Sequence, residues 1–501
     1  MSVTAVVKKN TYFDSVSLMS ISTKANGLDG VKQAFVAMGT EMNKEVLNNL
    51  GLLAAELREA GNGDLMIVVE GGSDTVLEEI EALLVRKAPA AGESAVTYRT
   101  IAAAKQGEPG ANLAVIAVNG AYAGREARKA LENDLNVMLF SDNVPVGEEV
   151  ALKRLAHDKG LLMMGPDCGT AIINNVALCF GNAVRPGTVG IVAASGTGAQ
   201  EVSVRVHSLG GGISQLIGTG GRDLSEEVGG IMMIDGIRAL AADPGTEVII
   251  LVSKPPAPSV ERKVLAEIAT AGKPVVVYFI GGSEEAVTSA GGTFARSSLD
   301  AARLAVSPDA EITPLPAPSR AFTPEQRFIR GLFCGGTLCD ESMYALLNAG
   351  ADVWSNIQKN PERRLGAGSP SVGHTFLDFG DDDFTNGRPH PMIDPSLRLA
   401  RLVEEARDPQ VAAIVMDFIL GFGAHEDPVG VTLPAIEEAK RVAAEAGRHL
   451  EIVGYVLGTD LDAPVLADQV AALEAAGVTV TRSSTETGQY AREIARKAQN
   501  A

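Results

Sequence analysis

Tryptophan occurs once in this 501-residue chain, cysteine four times and histidine six times, and aromatic residues make up only 4%. Cys168, Cys179, Cys334 and Cys339 form no CxxC pair, which excludes a disulfide framework and a zinc-ribbon core. The spacing of Cys334 and Cys339, with no further Cys or His beside them, is poor for zinc, and no metal site is expected. Positive charge is short too, with 43 Lys and Arg against 62 Asp and Glu and a net charge of -19. That sign opposes a phosphate backbone or an anionic membrane surface, so neither nucleic acid nor membrane is an expected partner. Any phosphate bound here must be held by local geometry. Long apolar runs are missing as well: the stretch from Val411 to Gly423 is broken by Asp417 and is too short to span a bilayer. The opening MSVTAVVKKNTYFDSVS lacks the apolar stretch of a secretory signal, and a reducing, cytoplasmic location is expected.

What is present is apolar bulk, at 46% of residues, enough to fill three or four domain cores. Residues 1–95 read as short strands and helices, a small α/β domain. Residues 96–183 carry the buried-strand patterns LAVIAVN, NVMLFS and LLMMG separated by helix-length connections, which argues for a parallel sheet covered on both faces. Residues 184–306 hold the strands TVGIVAAS, EVIILVS and KPVVVYFIG. A Pro-rich linker spans 307–325, and residues 326–501 hold FIRGLFCG, TFLDFG, VAAIVMDFILG and EIVGYVLG.

The segments 184–306 and 326–501 repeat one plan in one order. Each opens with a strand, a small-residue turn and a helix: IVAASGTGAQEV and LFCGGTLCDESM. Each continues with a long buried strand and a penultimate strand, and each closes on a Ser-capped helix, at Arg296-Ser297-Ser298 and at Arg482-Ser483-Ser484. Four matches in register indicate an internal duplication of a doubly wound fold.

The small-residue turns are the sharpest candidates for chemistry. In Ser195-Gly196-Thr197-Gly198, glycines let a ligand approach the backbone, and the helix start offers free N–H groups with about half a positive charge. Such a turn cradles phosphate, though an ordinary capped strand-to-helix turn reads the same way. Gly335-Gly336-Thr337 repeats it. If the two copies pack as a twofold-like pair, both helix starts face one anion. The loop Gly165-Pro166-Asp167-Cys168 follows a strand, so Gly165, Asp167 and Cys168 are expected to line a crevice. Cys168 reads either as a nucleophile or, more readily, as a packed small residue. Arg222, Asp223 and Lys254 lie beyond strand ends. Lys254, followed by two prolines, is the better partner for an anion. Arg388 and His390, stiffened by flanking prolines, and His425 in the turn after Gly421 and Gly423 complete the candidate catalytic and crevice residues. His157, His207 and His449 are expected to be inert.

These motifs together resemble the NDP-forming acyl-CoA synthetases, the succinyl-CoA synthetase group, over about residues 105–501. GPDCGT is similar to the family's GPNCPG loop, GIVAASGTGAQEV to its phosphate turn and GTGGRDL to its GIGGDP segment; LFCGGTLCDE and HTFLDFG resemble the partner subunit's carboxy-terminal domain. The resemblance implies a Rossmann-like, CoA-binding-type domain at 96–183 and two flavodoxin-like, succinyl-CoA-synthetase-type domains at 184–306 and 326–501. It also shows departures. Where the family carries a phosphorylated histidine, this chain reads Ser283-Glu284-Glu285-Ala286-Val287, and Lys254 stands where the family has the glutamate that steadies that histidine. No CoA-type Gly-rich turn and no ATP-grasp domain are visible, so neither CoA nor ATP is an expected requirement.

The motifs KKNTYFDSVSLM, MGPDCGT, GGRDLS, GDDDFTNGRPHPMIDP and GFGAHEDP resemble the FdrA family along nearly the whole chain. That resemblance implies a subunit of an oxamate carbamoyltransferase in allantoin and purine nitrogen use. There, phosphate cleaves oxalurate to oxamate and carbamoyl phosphate, alongside partner subunits in a homo- or hetero-oligomer. Ser195, Thr197 and Thr337 would then hold phosphate or carbamoyl phosphate, with Lys254 or Arg388 on the oxamate carboxylate. The alternative is an acyl-CoA synthetase that borrows a separate ATP-grasp subunit.

Overall fold

A computed structural model describes the chain apart from residues 1–2, 10, 12, 14, 27, 29, 41–42, 45–46, 49–51, 62, 74, 86–96, 313–314, 317, 319–320, 386–388 and 500–501. It separates into two units, Met1–Val96 with Thr385–Asp394, and Thr97–Phe384 with Pro395–Ala501.

The smaller unit is built on an antiparallel sheet in which Leu65–Gly71 lies between Val3–Lys8 and Val31–Met38. The central position explains the sequence of the middle strand: Leu65 to Val69 are all 0% exposed, so every residue is apolar instead of alternating. Leu65, Ile67 and Val69 meet Leu18, Ile21 and Ile80 from the helices Ser15–Asn26 and Val76–Val85, while Met66 and Val68 pack with Leu47 and Leu57.

The larger unit contains three sheets. Leu113–Ile116, Asn136–Leu139 and Met163–Met164 form a small parallel sheet with Asn136–Leu139 in the middle. The first repeat forms a seven-stranded sheet in the order Thr293–Phe294, Val275–Phe279, Val248–Ser253, Pro186–Ala193, Ile213–Gly218, and then the hairpin Thr170–Ile173 and Val176–Cys179. Its five parallel strands follow the flavodoxin-like order 2-1-3-4-5, and the hairpin joins antiparallel at the edge. The second repeat is wholly parallel, in the order Val353–Ser355, His374–Asp378, Phe328–Phe333, Val411–Ile419, Glu451–Leu457 and Thr479–Thr481. Setting aside the short edge strand Val353–Ser355, it has the same order. The internal repeat is therefore one of topology, and the α/β doubly wound fold stands.

The repeats are tied by exchanged contacts. Glu201, in the first repeat, is buried and accepts the N–H of Ser484 at the start of the second repeat's last helix (3.1 Å) and the hydroxyl of Tyr455. Glu341, at the corresponding place in the second repeat, accepts the N–H of Ser298 at the start of the first repeat's last helix (2.9 Å). Each repeat thus supplies the anion that caps the other's closing helix, where a negative group at the N-terminus is favourable.

Candidate functional site

The strand Pro186–Ala193 runs directly into the first turn. Ser195 adopts extended geometry, and its hydroxyl accepts the N–H of Gly198 (3.1 Å), capping the helix Gly196–Ser208. The second turn follows the strand Phe328–Phe333 into the helix Gly336–Leu347 but has glycine at the cap and so no side chain to spend there. Asp417 instead holds the backbone just before that helix. It sits in the middle of the buried strand Val411–Ile419, is 0% exposed, and accepts the N–H groups of Cys334 and Gly335, both at 2.8 Å. Arg398 holds it from the other side at 2.8 Å. A carboxylate breaking an apolar strand is costly unless fully hydrogen-bonded, and this one is.

The two turns meet. The hydroxyls of Ser195 and Thr337 hydrogen-bond directly, and the N–H of Thr337 points to Thr197 Oγ1 at 3.4 Å. Two helix starts, whose first N–H groups have no partner inside their own helices, therefore converge on one place. Thr170 adds a further group: it is 2% exposed, its hydroxyl has no hydrogen-bond partner, and it lies 3.5 Å from where a Cβ on Gly196 would stand.

Beside the second turn lie Lys254, Asp340 and Asp378. Lys254 Nζ is 3.6 Å from Asp340, and its side chain is 42% exposed. Burial would lower the Lys254 ammonium, but the Asp340 and Asp378 carboxylates outweigh it and hold the group above its ordinary value. Burial pushes Asp378 up to about 7, with Lys254 opposing and Asp381 reinforcing the rise. A Cβ on Gly336 would collide with Asp378 and stand 3.0 Å from Lys254 Nζ, so glycine here admits both side chains to the helix start. Asp167, though exposed, is drawn up as well, by desolvation and by the Asp382 and Asp142 carboxylates.

The structure sorts the remaining candidates. Gly165 precedes Asp167 in a loop that packs on Leu139. Arg222 donates to the carbonyl of Val144 (2.8 Å) and forms an ion pair with Glu149 (2.9 Å), and its charge reaches Asp167 and Asp382. Asp223 is not a crevice residue: it is 0% exposed, paired with the buried Lys153 (2.8 Å), and accepts the N–H of Met233 (2.8 Å). Cys168 is likewise core rather than lining. Its 2% exposure pushes the thiol up to about 12, which removes it as a nucleophile. Gly421 has a φ of +105°, and its backbone closes on the carbonyl of Gly181; Gly423 packs on Phe180. These two glycines therefore serve the contact between repeats, because any Cβ at 421 would strike that carbonyl. His425 accepts the N–H of Asp427 (3.0 Å) in its own turn. His390 belongs to the smaller unit, where its Nδ1 accepts the N–H of Met392 (3.2 Å). Arg388 lies outside the described residues. His157 pairs with Asp235 and His449 with Glu451. Asp378, Asp340 and Thr170 lie within the motifs HTFLDFG, LFCGGTLCDE and GPDCGT, but the sequence does not mark them individually as site residues. Asp417 stands out in sequence only as a charge inside an otherwise apolar strand.

Among the described residues no helix is long and apolar enough to cross a membrane, and no group of three His, Cys, Asp or Glu is placed to hold a metal ion.

Three family models match the chain: the AllF heavy metal-associated domain over residues 1–99, the CoA binding domain over 184–281 and the CoA-ligase domain over 332–494. Residues 1–99 contain neither cysteine nor histidine, so that domain has no thiolate or imidazole donor for a metal. The uncharacterized protein YahF of Escherichia coli (strain K12) is 61% identical over 100% of both chains. The alpha subunit of an ADP-forming succinate–CoA ligase from Staphylococcus epidermidis (strain ATCC 35984) is 28% identical over 38% of this chain and 62% of that subunit. Among solved structures, the apo form of a dinucleotide-forming acetyl-coenzyme A synthetase of Ca. Korarchaeum cryptofilum aligns over 78% of this chain and 84% of its own, at 17% identity and a TM-score of 0.33. The chain belongs to the family of YahF, a family related to succinate–CoA ligases and carrying an AllF-type domain at its amino terminus.

Proposed function

We propose that the chain is an acyl-phosphate-handling subunit, with its site where the two helix starts meet. The contact between Ser195 and Thr337 carries this reading: it brings two positive helix ends to one place in an otherwise strongly acidic chain. N–H groups of Gly196 and Thr197, with the unpartnered hydroxyl of Thr170, would grip the phosphate from the first repeat. In the second repeat Asp417 already occupies the N–H groups of Cys334 and Gly335, so its helix would contribute through Gly336 and Thr337. Lys254 would meet the substrate's carboxylate.

The family matches favour acyl-CoA formation, with the nucleotide handled on a separate ATP-grasp subunit. A second reading, oxamate carbamoyltransferase as in the FdrA family, is favoured by the lack of histidine in residues 283–287. In that reaction a phosphate oxygen attacks the carbamoyl carbon of oxalurate. The bond from that carbon to the oxamate nitrogen breaks, and the nitrogen takes up a proton, for which Asp378, poised near neutrality, is the donor. Backbone N–H groups at the helix starts would stabilise the tetrahedral oxyanion.

One experiment separates the readings. The chain, purified with its partner subunits, is given oxamate and carbamoyl phosphate in one assay, and a carboxylic acid, CoA and ATP in another. Phosphate release in the first assigns carbamoyl transfer, and thioester in the second assigns a ligase. Thr197→Ala is expected to cut whichever activity is found by roughly 100-fold. Activity untouched by Thr197→Ala would remove the helix starts from the chemistry.

A further inference from the structure

A cavity lies at the far end of the helix Gly196–Ser208 from the converging turns. It has a volume of about 590 Å³, within the range that small-molecule sites occupy, and both repeats build it. Arg185 and the helix end with Arg205 and His207 form one wall; Val456, Asp460, Val470 and Arg482 contribute to the other. Its floor sits at the carboxyl ends of Glu451–Leu457 and Thr479–Thr481, the edge of a parallel sheet at which ligands collect. Ten residues of helix, about 15 Å, separate His207 from Thr197, so this is not the helix-start site.

The polar groups in it are unequally satisfied. His207 is 3% exposed, and its Nδ1 accepts the N–H of Arg185 (3.1 Å), which places the ring proton on Nε2. That proton goes to Asp460, 2.6 Å away. Arg185 Nη2 also stands 3.1 Å from Nε2, so it faces a donor instead of an acceptor. Arg205 is 9% exposed; its Nη1 donates to the carbonyl of Arg482, and its buried Nε faces the Glu201 carboxylate at 3.7 Å. Two guanidiniums, those of Arg185 and Arg205, thus line one apolar-floored cavity in a chain whose net charge is -19. Arg185 Nη2 is left facing a donor, and an anionic oxygen in the cavity is the group that answers it.

We propose that this cavity binds a small organic anion, a phosphate monoester or carboxylate with an apolar body, whose charged end lies on Arg185 and Arg205 and whose body lies on Val456 and Val470. Because its walls come from both repeats, the ligand clamps them together.

The test is titration calorimetry of the full chain with phenyl phosphate, alongside inorganic phosphate as a probe of the helix starts. One phenyl phosphate is expected per chain at this site. Arg185→Gln is expected to weaken it at least tenfold, and Val470→Trp, which fills the cavity, to abolish it. Both variants should keep the wild-type response to inorganic phosphate, which also shows that they are folded. Phenyl phosphate that fails to bind the wild-type chain overturns the proposal. So does binding that survives both cavity variants, or binding lost in Thr197→Ala, which assigns the ligand to the helix starts. The helix-start reading fails separately, through the response to inorganic phosphate.

Discussion

At the scale of single residues, the site is defined by where carboxylates have been placed. Asp417 and Asp378 are both buried beside the second turn, but they do different work. Burial raises Asp417 as well, but Arg398 and the N–H groups of Cys334 and Gly335 all favour its charged form. Asp378 accepts one N–H, from Gly380 (2.9 Å), and burial pushes it up to about 7. A carboxyl group whose folded value is raised gives its full stabilisation below the unfolded value near 3.9, and loses it as pH climbs through the folded value. The wild-type chain should therefore lose stability relative to Asp378→Asn between about pH 4 and 7, by roughly 4 kcal/mol at most, and the difference should level off above pH 8. Denaturation midpoints of both proteins across that range measure it. A gap that stays constant with pH would show that Asp378 ionises as freely as it does in the unfolded chain.

Helices and strands show what could be read from the sequence and what could not. The duplication was legible because long buried strands such as Val411–Ile419 are continuous apolar runs and because Ser297 and Ser483 are explicit cap signals, both realised. Ile213–Gly218, Val353–Ser355 and the hairpin Thr170–Cys179 were not, because they are short or interrupted by polar residues and take their stability from neighbouring strands. Of the candidate site, the two turns and Lys254 were legible locally. Asp417 lies 82 residues from the Gly335 N–H it satisfies, a separation at which sequence patterns carry no information. Glu201 was hidden likewise, since its partner Ser484 is 283 residues away. Glu201→Ala should cost roughly 3–5 kcal/mol, because it leaves the buried Arg205 and the Ser484 N–H without their anion. Glu438→Ala, which breaks a solvent-exposed pair with Arg441, should leave stability almost unchanged. Urea unfolding of both variants checks the contrast; equal losses would mean that the exchanged caps are incidental.

Within the larger unit, the two repeats behave as one body because their contacts are reciprocal and buried. Besides the Glu201 and Glu341 caps, the segment leading into the first repeat holds the second: Asn182 bonds the carbonyl of Leu420 (2.9 Å) and Asp462 (2.8 Å), and the Ala183 N–H reaches Asp462 at 2.7 Å. None of these bonds involves the Pro-rich linker at 307–325, which the sequence offers as the chain's one long covalent bridge between the repeats. The linker's covalent continuity should therefore matter little once the protein has folded. A protease site inserted between Ser307 and Phe322 and cut after folding should leave both fragments in one particle on size-exclusion chromatography. Cut and uncut proteins should each unfold in a single transition. Raising the salt to 1 M should not part the fragments, because screening over about 3 Å has little effect on contacts from which water and ions are excluded. Fragments that separate at micromolar concentration, or that unfold at two temperatures, would show that the repeats are held by the linker and not by their exchanged caps. The helix starts would then be brought together only by tethering, and the shared anion site would lose its structural basis.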